Sequence, residues 1–191
     1  MIETARRLFL ERGYGATTIE AISELADVPP ATVYRLFSSK SGILKALVDV
    51  SIVGDEEAVP MADRPEIRTL LAEADPRSNL VGFARITAEV NSRVAPLYRV
   101  LVSAAGSDAD AAALFDELTR QRQTGQRLIA RSLARAGALR PELRERDAAD
   151  LIHALMSPEL YQLLVVDRHW NSERYERWLA NTLADQLLAR E

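Results

Sequence analysis

The chain has no cysteine and only two histidines, His153 and His169. The first absence excludes disulfides and thiolate metal sites, and the second leaves too few imidazoles for a His-rich one. No run of about 18 apolar residues is free of charges, so a membrane span is not expected. The opening Met1-Ile2-Glu3-Thr4-Ala5-Arg6 has no apolar core of the kind a signal peptide needs. A Gly-rich phosphate loop, a His/Glu metal spacing and a nucleophile elbow are all missing. Two histidines far apart leave little for general-base work, although carboxylates alone stay open as an enzymatic route. No segment alternates as a strand does, and there is no internal repeat or low-complexity tract. These absences leave an all-α, cytoplasmic protein, not an enzyme, with no metal, cofactor or membrane partner expected.

What is present is helical patterning over 191 residues, 48% of them hydrophobic, which is enough to bury a core. The net charge of −4 argues against indiscriminate nucleic-acid binding. Local charge is uneven: Val28 to Val48 holds Arg35, Lys40 and Lys45 and no acid. Thr4 to Arg12 reads as a helix with Ala5, Leu8 and Phe9 on one stripe, ended by Gly13-Tyr14-Gly15. Thr17-Thr18-Ile19-Glu20 fits a capping box with Thr17 as N-cap. It opens a second helix to about Ala26, with Ile19, Ile22 and Leu25 or Ala26 inward. Asp27-Val28 makes the turn. Pro29-Pro30 start a third helix, where the missing proline N–H would have no partner anyway. Val33, Leu36 and Phe37 are expected inward, with Thr32, Tyr34 and Arg35 outward or sideways. Ser39 caps a fourth helix, roughly Ser41 to Val53. A short helix begun by prolines, with cations just behind it, suits a DNA major groove.

Further along, Pro60 to Pro65 reads as a loop and Glu66 to Glu73 as a short helix. Leu80 to Val94 and Leu97 to Ala105 read as helices with a kink or restart at Pro96. Asp108 to Ala136 is long and amphipathic, with Gly137 as its C-cap. Arg146 to about Val166 is expected as a helix bent at Pro158, and Ser172 to about Ala189 as the last. Helical spacing places Thr87, Asn91, Val94, Tyr98 and Leu101 on one face and Phe115, Leu118, Arg122, Gly125 and Ile129 on another. One reading is a pocket in which Asn91, Tyr98 and Arg122 orient a small molecule, with Thr87 and Phe115 beside them. The other is a core helix whose polar groups bond locally, with Arg122 snorkelling to water. The last two helices carry apolar stripes that include Leu151, Leu155 and Leu163, then Tyr175, Trp178, Leu179 and Leu183. These are either intramolecular core or a surface for a second copy.

Gly13-Tyr14, Thr17-Thr18-Ile19, Ala21-Ile22, Ala26, Val28, Thr32-Val33-Tyr34-Arg35, Phe37 and Ser39-Lys40 stand in a specific order and spacing. In these residues the chain resembles the DNA-binding domain of TetR-type transcriptional regulators. The resemblance implies a three-helix helix-turn-helix domain over 1–46 and a larger helical ligand-binding and dimerisation domain over 47–191, linked by the fourth helix. It implies a homodimer on a palindromic double-stranded DNA operator, acting as a repressor that a small-molecule effector releases. Paired last helices forming a four-helix bundle would be the dimer contact. Asp27 stands where the family usually has Gly, and Pro29 and Pro30 where it often has Ser and a small or basic residue. The family commonly carries further basic residues before the first helix. These departures keep open a helical protein-interaction module that has lost DNA binding.

On this resemblance the candidate DNA contacts are Thr17, Thr18, Pro29, Pro30, Ala31, Thr32, Tyr34, Arg35 and Lys40. Thr17 and Thr18 either hold a phosphate at a helix N-terminus or simply cap it. Pro29 and Pro30 offer apolar contact to thymine methyls, with Ala31 next to them, and Thr32 reaches a base or the backbone. Tyr34 offers its hydroxyl to a phosphate. Arg35 reads guanine, binds phosphate or is merely solvated. Lys40 lies in the first turn of a helix, where the helix dipole disfavours a cation unless an anion docks there. Lys45 is read as solvated.

Overall fold

The computed structural model describes residues 1–54 and 64–189. Its elements, in order, are α1 (Ile2–Arg12), α2 (Ile19–Ala26), α3 (Pro30–Phe37), α4 (Lys40–Val53), α5 (Pro65–Leu71), α6 (Pro76–Ala105) and α7 (Ala109–Arg135). Then come α8 (Glu145–Leu155), α9 (Pro158–Tyr161), a π-helical turn (Gln162–Asp167) and α10 (Ser172–Leu187). There is no β-strand among the described residues; one isolated antiparallel bridge joins Leu139 and Leu188. The chain is all-α, with an N-terminal helix-turn-helix followed by a helical C-terminal domain. Of the loop expected over Pro60 to Pro65, only Arg64 and Pro65 lie among the described residues, and Pro65 already opens α5.

By compactness the chain divides into Met1–Glu56 with Arg93–Leu118, and Glu57–Ser92 with Thr119–Glu191. The first unit is built around Leu8, Phe9, Ile22, Val33, Ile43 and Leu44, all buried, joined by Leu97, Leu101, Ala111 and Leu114 from α6 and α7. The stripe Ala5, Leu8 and Phe9 of α1 faces this core, and Phe9 stacks on Tyr14 with ring centroids 5.7 Å apart. Helix α1 contacts α2 and α4, α2 contacts α3, and α3 contacts α4. Gly13 ends α1 at φ 78°, a conformation that glycine adopts at little cost.

The second unit buries Leu80, Phe83, Ile129, Leu133, Ile152, Tyr161, Tyr175, Leu179, Leu183 and Leu187. Here α10 packs on α8 and on the π-helical turn. Three helix boundaries differ from the sequence reading. Pro96 does not restart a helix but lies inside α6, which runs on from Pro76 to Ala105; a proline forfeits one i→i−4 bond, and the helix continues past it. The helix expected from Arg146 to Val166 is not one bent rod: it stops at Leu155, and Ser157 caps a new turn by accepting a bond from the Leu160 N–H. The helix expected to start at Leu80 begins earlier, at Pro76, where the Asp75 carboxylate accepts from the Arg77 and Ser78 amides.

Candidate nucleic-acid interface

The second and third helices and the start of the fourth determine what this part of the molecule can touch. Thr18, not Thr17, is the N-cap of α2: its hydroxyl accepts from the Ala21 amide at 3.1 Å and lies at the surface. Thr17 is fully buried and donates to the carbonyls of Gly13 at 2.8 Å and Leu8 at 3.2 Å. The N-cap is therefore shifted by one residue, which puts Ala21 rather than Glu20 at the third helical position and leaves no capping box, and the Thr17 side chain is committed inward, away from any phosphate. Two adjacent threonines are alike to a pattern; only the packed end of α1 decides which hydroxyl turns in.

Asp27 occupies the left-handed region at φ 52°, ψ 46°, as the turn between α2 and α3 requires. Pro29 then precedes α3 and Pro30 opens it. Along α3 only Val33 is fully buried. Pro30, Ala31, Tyr34 and Arg35 are exposed, as is Pro29 just before them, with Thr32 at the margin. Leu36, expected in the core, is 54% exposed and joins the outer face. A two-turn helix held by one buried valine and a half-buried Phe37 has no second apolar stripe to offer.

The turn after α3 is sharp. Ser38 has φ 64°, ψ −36°, and the Ser39 amide donates to the Phe37 carbonyl at 2.7 Å, which is the geometry of a γ-turn. Ser39 caps α4 by accepting from the Gly42 amide at 3.0 Å. A β-carbon at position 42 would fall inside the van der Waals shell of the Phe37 carbonyl oxygen, so glycine is what lets α4 start this close to α3. Lys45 is not merely solvated; it pairs with Asp49 one turn on, at 2.6 Å.

Lys40 is the first residue of α4. Its ammonium donates to the Tyr14 carbonyl at 2.8 Å and lies 4.1 Å from the centroid of the Tyr14 ring. The carbonyl and the ring face supply a partner for a cation that the helix dipole disfavours, so an external anion is not required to explain it. Tyr14 in turn donates its hydroxyl to Asp108 at 2.7 Å. Burial and then this carboxylate push the Tyr14 hydroxyl well above the ordinary tyrosine range, and the Tyr14 bond holds the Asp108 carboxyl low. Sequence reasoning missed this pair: Tyr14 was legible only as a helix end, and Asp108 only as a helix start.

This helix-turn-helix arrangement has a sequence counterpart. Residues 1–47 match the sequence model of the family described as bacterial regulatory proteins, tetR family. Over these residues the chain is similar to TetR-type regulators. YdeS, an uncharacterised HTH-type transcriptional regulator of Bacillus subtilis strain 168, is 27% identical over 167 residues, covering 86% of this chain and 77% of YdeS. Among solved structures the fold is shared with NalD, the secondary repressor of the MexAB-OprM multidrug efflux pump in Pseudomonas aeruginosa. The match to NalD covers 100% of this chain and 95% of that one, at 19% identity and a TM-score of 0.74. It is also shared with a Saccharomonospora viridis protein, assigned as a transcriptional regulator and crystallised with choline, at 20% identity and a TM-score of 0.69, over 99% and 96% of the two chains. The family and YdeS are regulatory proteins, not enzymes.

The remaining residues singled out in the sequence fall in different places. Tyr98 and Phe115 belong to the first unit and pack ring to ring at 5.9 Å. Thr87, Asn91 and Arg122 belong to the second. Thr87 and Asn91 are buried, and the Asn91 amide points at the carbonyls of Met156 and Ser157, each at 3.4 Å. Arg122 reaches His153 Nε2 at 3.2 Å and Glu159 at 3.6 Å, and His153 Nδ1 lies 2.7 Å from the Gln126 amide oxygen. An arginine only donates, so this arrangement fits a neutral imidazole that donates from Nδ1 and accepts at Nε2. Burial, then the Arg122 charge, holds the His153 pKa below its ordinary 6.5. The folded state therefore binds fewer protons here than the unfolded chain, and stability falls as the pH drops below about 6.5 toward the depressed value. We expect the melting temperature to decline between pH 7.5 and 5.5 by less in His153→Gln than in the parent; equal declines would place the titration elsewhere.

Of the residues expected at a dimer contact, Tyr175, Leu179 and Leu183 are wholly buried within a single chain. They are intramolecular core, the alternative the stripes left open, and burial also pushes the Tyr175 hydroxyl up to about 12. Leu151, Leu155 and Trp178 are half-buried, and Leu163 is 50% exposed on the π-helical turn. Among the described residues, no group of three or more acidic, histidine or cysteine side chains is placed to hold a metal ion, and no helix is long and apolar enough to cross a membrane.

Proposed function

We propose that this protein is a TetR-type regulator, a cytoplasmic homodimeric repressor that binds a palindromic operator through α3 and the start of α4 and leaves it when a small-molecule effector binds. The observation that carries this reading is the face of α3: Tyr34 and Arg35 stand exposed beside Pro30 and Ala31, with Lys40 following and no acid from Val28 to Val48. A recognition helix presents its leading residues to base edges, and flanking cations and hydroxyls hold the phosphates. Tyr34, Thr18 and Lys40 suit phosphate. Arg35, with its planar fork, suits guanine, and Pro29, Pro30, Ala31 and Thr32 suit close apolar or hydroxyl contact with the groove. We assign residues 1–46 to reading DNA and 47–191 to effector binding and dimerisation. The repressor sign is supported by NalD, itself a repressor, and effector binding by the choline-bound S. viridis protein. Within the second unit, Thr87, Asn91 and Arg122 are the side chains we assign to the effector.

The test is fluorescence anisotropy of the purified protein on DNA from upstream of its own gene, against scrambled DNA, across a salt series. Selective binding that weakens steeply with salt is the expected result, because phosphate neutralisation releases counterions. Salt-insensitive or unselective association, repeated with a random-library selection, would instead leave a helical interaction module. For the dimer, the exposed and half-buried residues Leu163, Leu151, Leu155 and Trp178 are the contact we assign. Leu163→Glu is expected to weaken self-association about tenfold or more in sedimentation equilibrium; unchanged association moves the contact off this face.

A further inference from the structure

Three groups in the first unit form a clasp that the DNA-reading function does not by itself call for. Asp108 caps α7, its Oδ1 accepting from the Asp110 and Ala111 amides at 3.0 Å each. Its other oxygen accepts from the Tyr14 hydroxyl at 2.7 Å, 94 residues away in sequence. Tyr14 holds the Lys40 ammonium twice, by its carbonyl and by its ring face. A second strand of the clasp runs from the Ser39 and Ser41 hydroxyls, 2.7 Å apart, to Asp110 at 3.5 Å from Ser41. Thus the first turn of α4 is tied at two points to the first turn of α7.

We infer that Tyr14 and Asp108 are positioning residues for DNA binding: they fix the Lys40 ammonium at the N-terminus of α4 so that its free donors meet a phosphate. The inference rests on the DNA-binding reading above. An ammonium has three donors in rotation about a flexible four-carbon stem. In this geometry the Tyr14 carbonyl takes one and the ring face covers a second side, leaving the outward side for an oxyanion, and Lys40 remains partly open to solvent. An unrestrained lysine loses rotamer freedom on contacting a phosphate; one already held has lost it beforehand, which is preorganisation. Tyr14 is itself held by two different forces, stacking on Phe9 and the bond to Asp108, so the carbonyl and ring that grip Lys40 are doubly fixed.

The test is a double-mutant cycle on operator DNA with Tyr14→Phe and Lys40→Ala. Tyr14→Phe keeps the ring, its stacking and the carbonyl, and removes the hydroxyl with its interactions with Asp108 and Ser41. Expected are a loss of affinity of about threefold to tenfold for Tyr14→Phe, a flatter salt slope in both single variants, and a double variant no weaker than Lys40→Ala alone. A merely structural tyrosine would lower the melting temperature and leave affinity and salt slope unchanged, or its effect would add to that of Lys40→Ala; either result overturns the inference. Asp108→Asn, which retains a capping oxygen, should reproduce the flatter slope; if it does not, Asp108 is not the fixing partner. If Lys40→Ala changes nothing while Arg35→Ala abolishes selectivity, the clasp positions no phosphate contact but the DNA-binding reading stands. If neither matters, the reading of the interface falls with it.

Discussion

Gly42→Ala is expected to unseat the start of α4 and reduce operator affinity by at least about tenfold, the largest effect of any single methyl group in the first unit. The added carbon would meet the carbonyl oxygen of Phe37, which is backbone and cannot swing aside. The same carbonyl accepts the Ser39 amide in the γ-turn, so relieving the clash moves the turn as well. Overpacking of this kind costs about 1–3 kcal/mol, and in this place it also shifts Lys40 relative to Tyr34 and Arg35. Gly125→Ala is the control. Nothing lies within 4 Å of its added carbon, and it sits within α7, so it should stabilise by about 0.5–1 kcal/mol. Urea unfolding of both variants, followed by operator titration, separates the two outcomes. A Gly42→Ala protein that unfolds and binds as the parent does would mean that α3 and α4 are not fixed to each other at this corner.

Arg35→Ala should remove sequence preference more than affinity. A guanidinium bidentate to a guanine discriminates by about 1–3 kcal/mol, roughly fivefold to 150-fold at one base pair, and leaves the other positions unaffected. Measured as a set of single-base operator variants, the parent should show one position whose preference collapses in Arg35→Ala. A uniform loss across all variants, with a flatter salt dependence, would reassign Arg35 to a phosphate and leave base reading to Thr32 and the proline-flanked turn.

Much of the first unit was legible in the sequence because its forces are local. The stripe of Ala5, Leu8 and Phe9, the turn at Asp27 and the proline start of α3 each follow from backbone chemistry within a few residues. The errors came where two nearby choices were equal to a pattern and different in space. Thr17 and Thr18 are chemically alike, and the carbonyls of Leu8 and Gly13 select the first for the interior. Leu36 is apolar, yet a helix two turns long has one inward line, and Val33 occupies it. The clasp between Tyr14 and Asp108 lay beyond any window, since it closes a long loop of chain with a single hydroxyl. In the second unit the apolar stripes were real, but a stripe does not say which molecule covers it; Tyr175, Leu179 and Leu183 are covered by their own chain. The break at Ser157 was obscured because Pro158 is as compatible with a bend as with a fresh start.

Val33 alone anchors α3 fully in the core, while Pro30, Ala31, Tyr34, Arg35 and Leu36 stand outside it. Core residues are constrained by the volume they fill, and exposed ones cost little to exchange. On the proposed reading of α3 as the helix that meets DNA, the residues that would choose an operator are therefore nearly uncoupled from folding. A descendant gene copy would then acquire a new target by changing four or five surface positions, with no compensating change beneath them, so long as the valine and the turns on either side are kept.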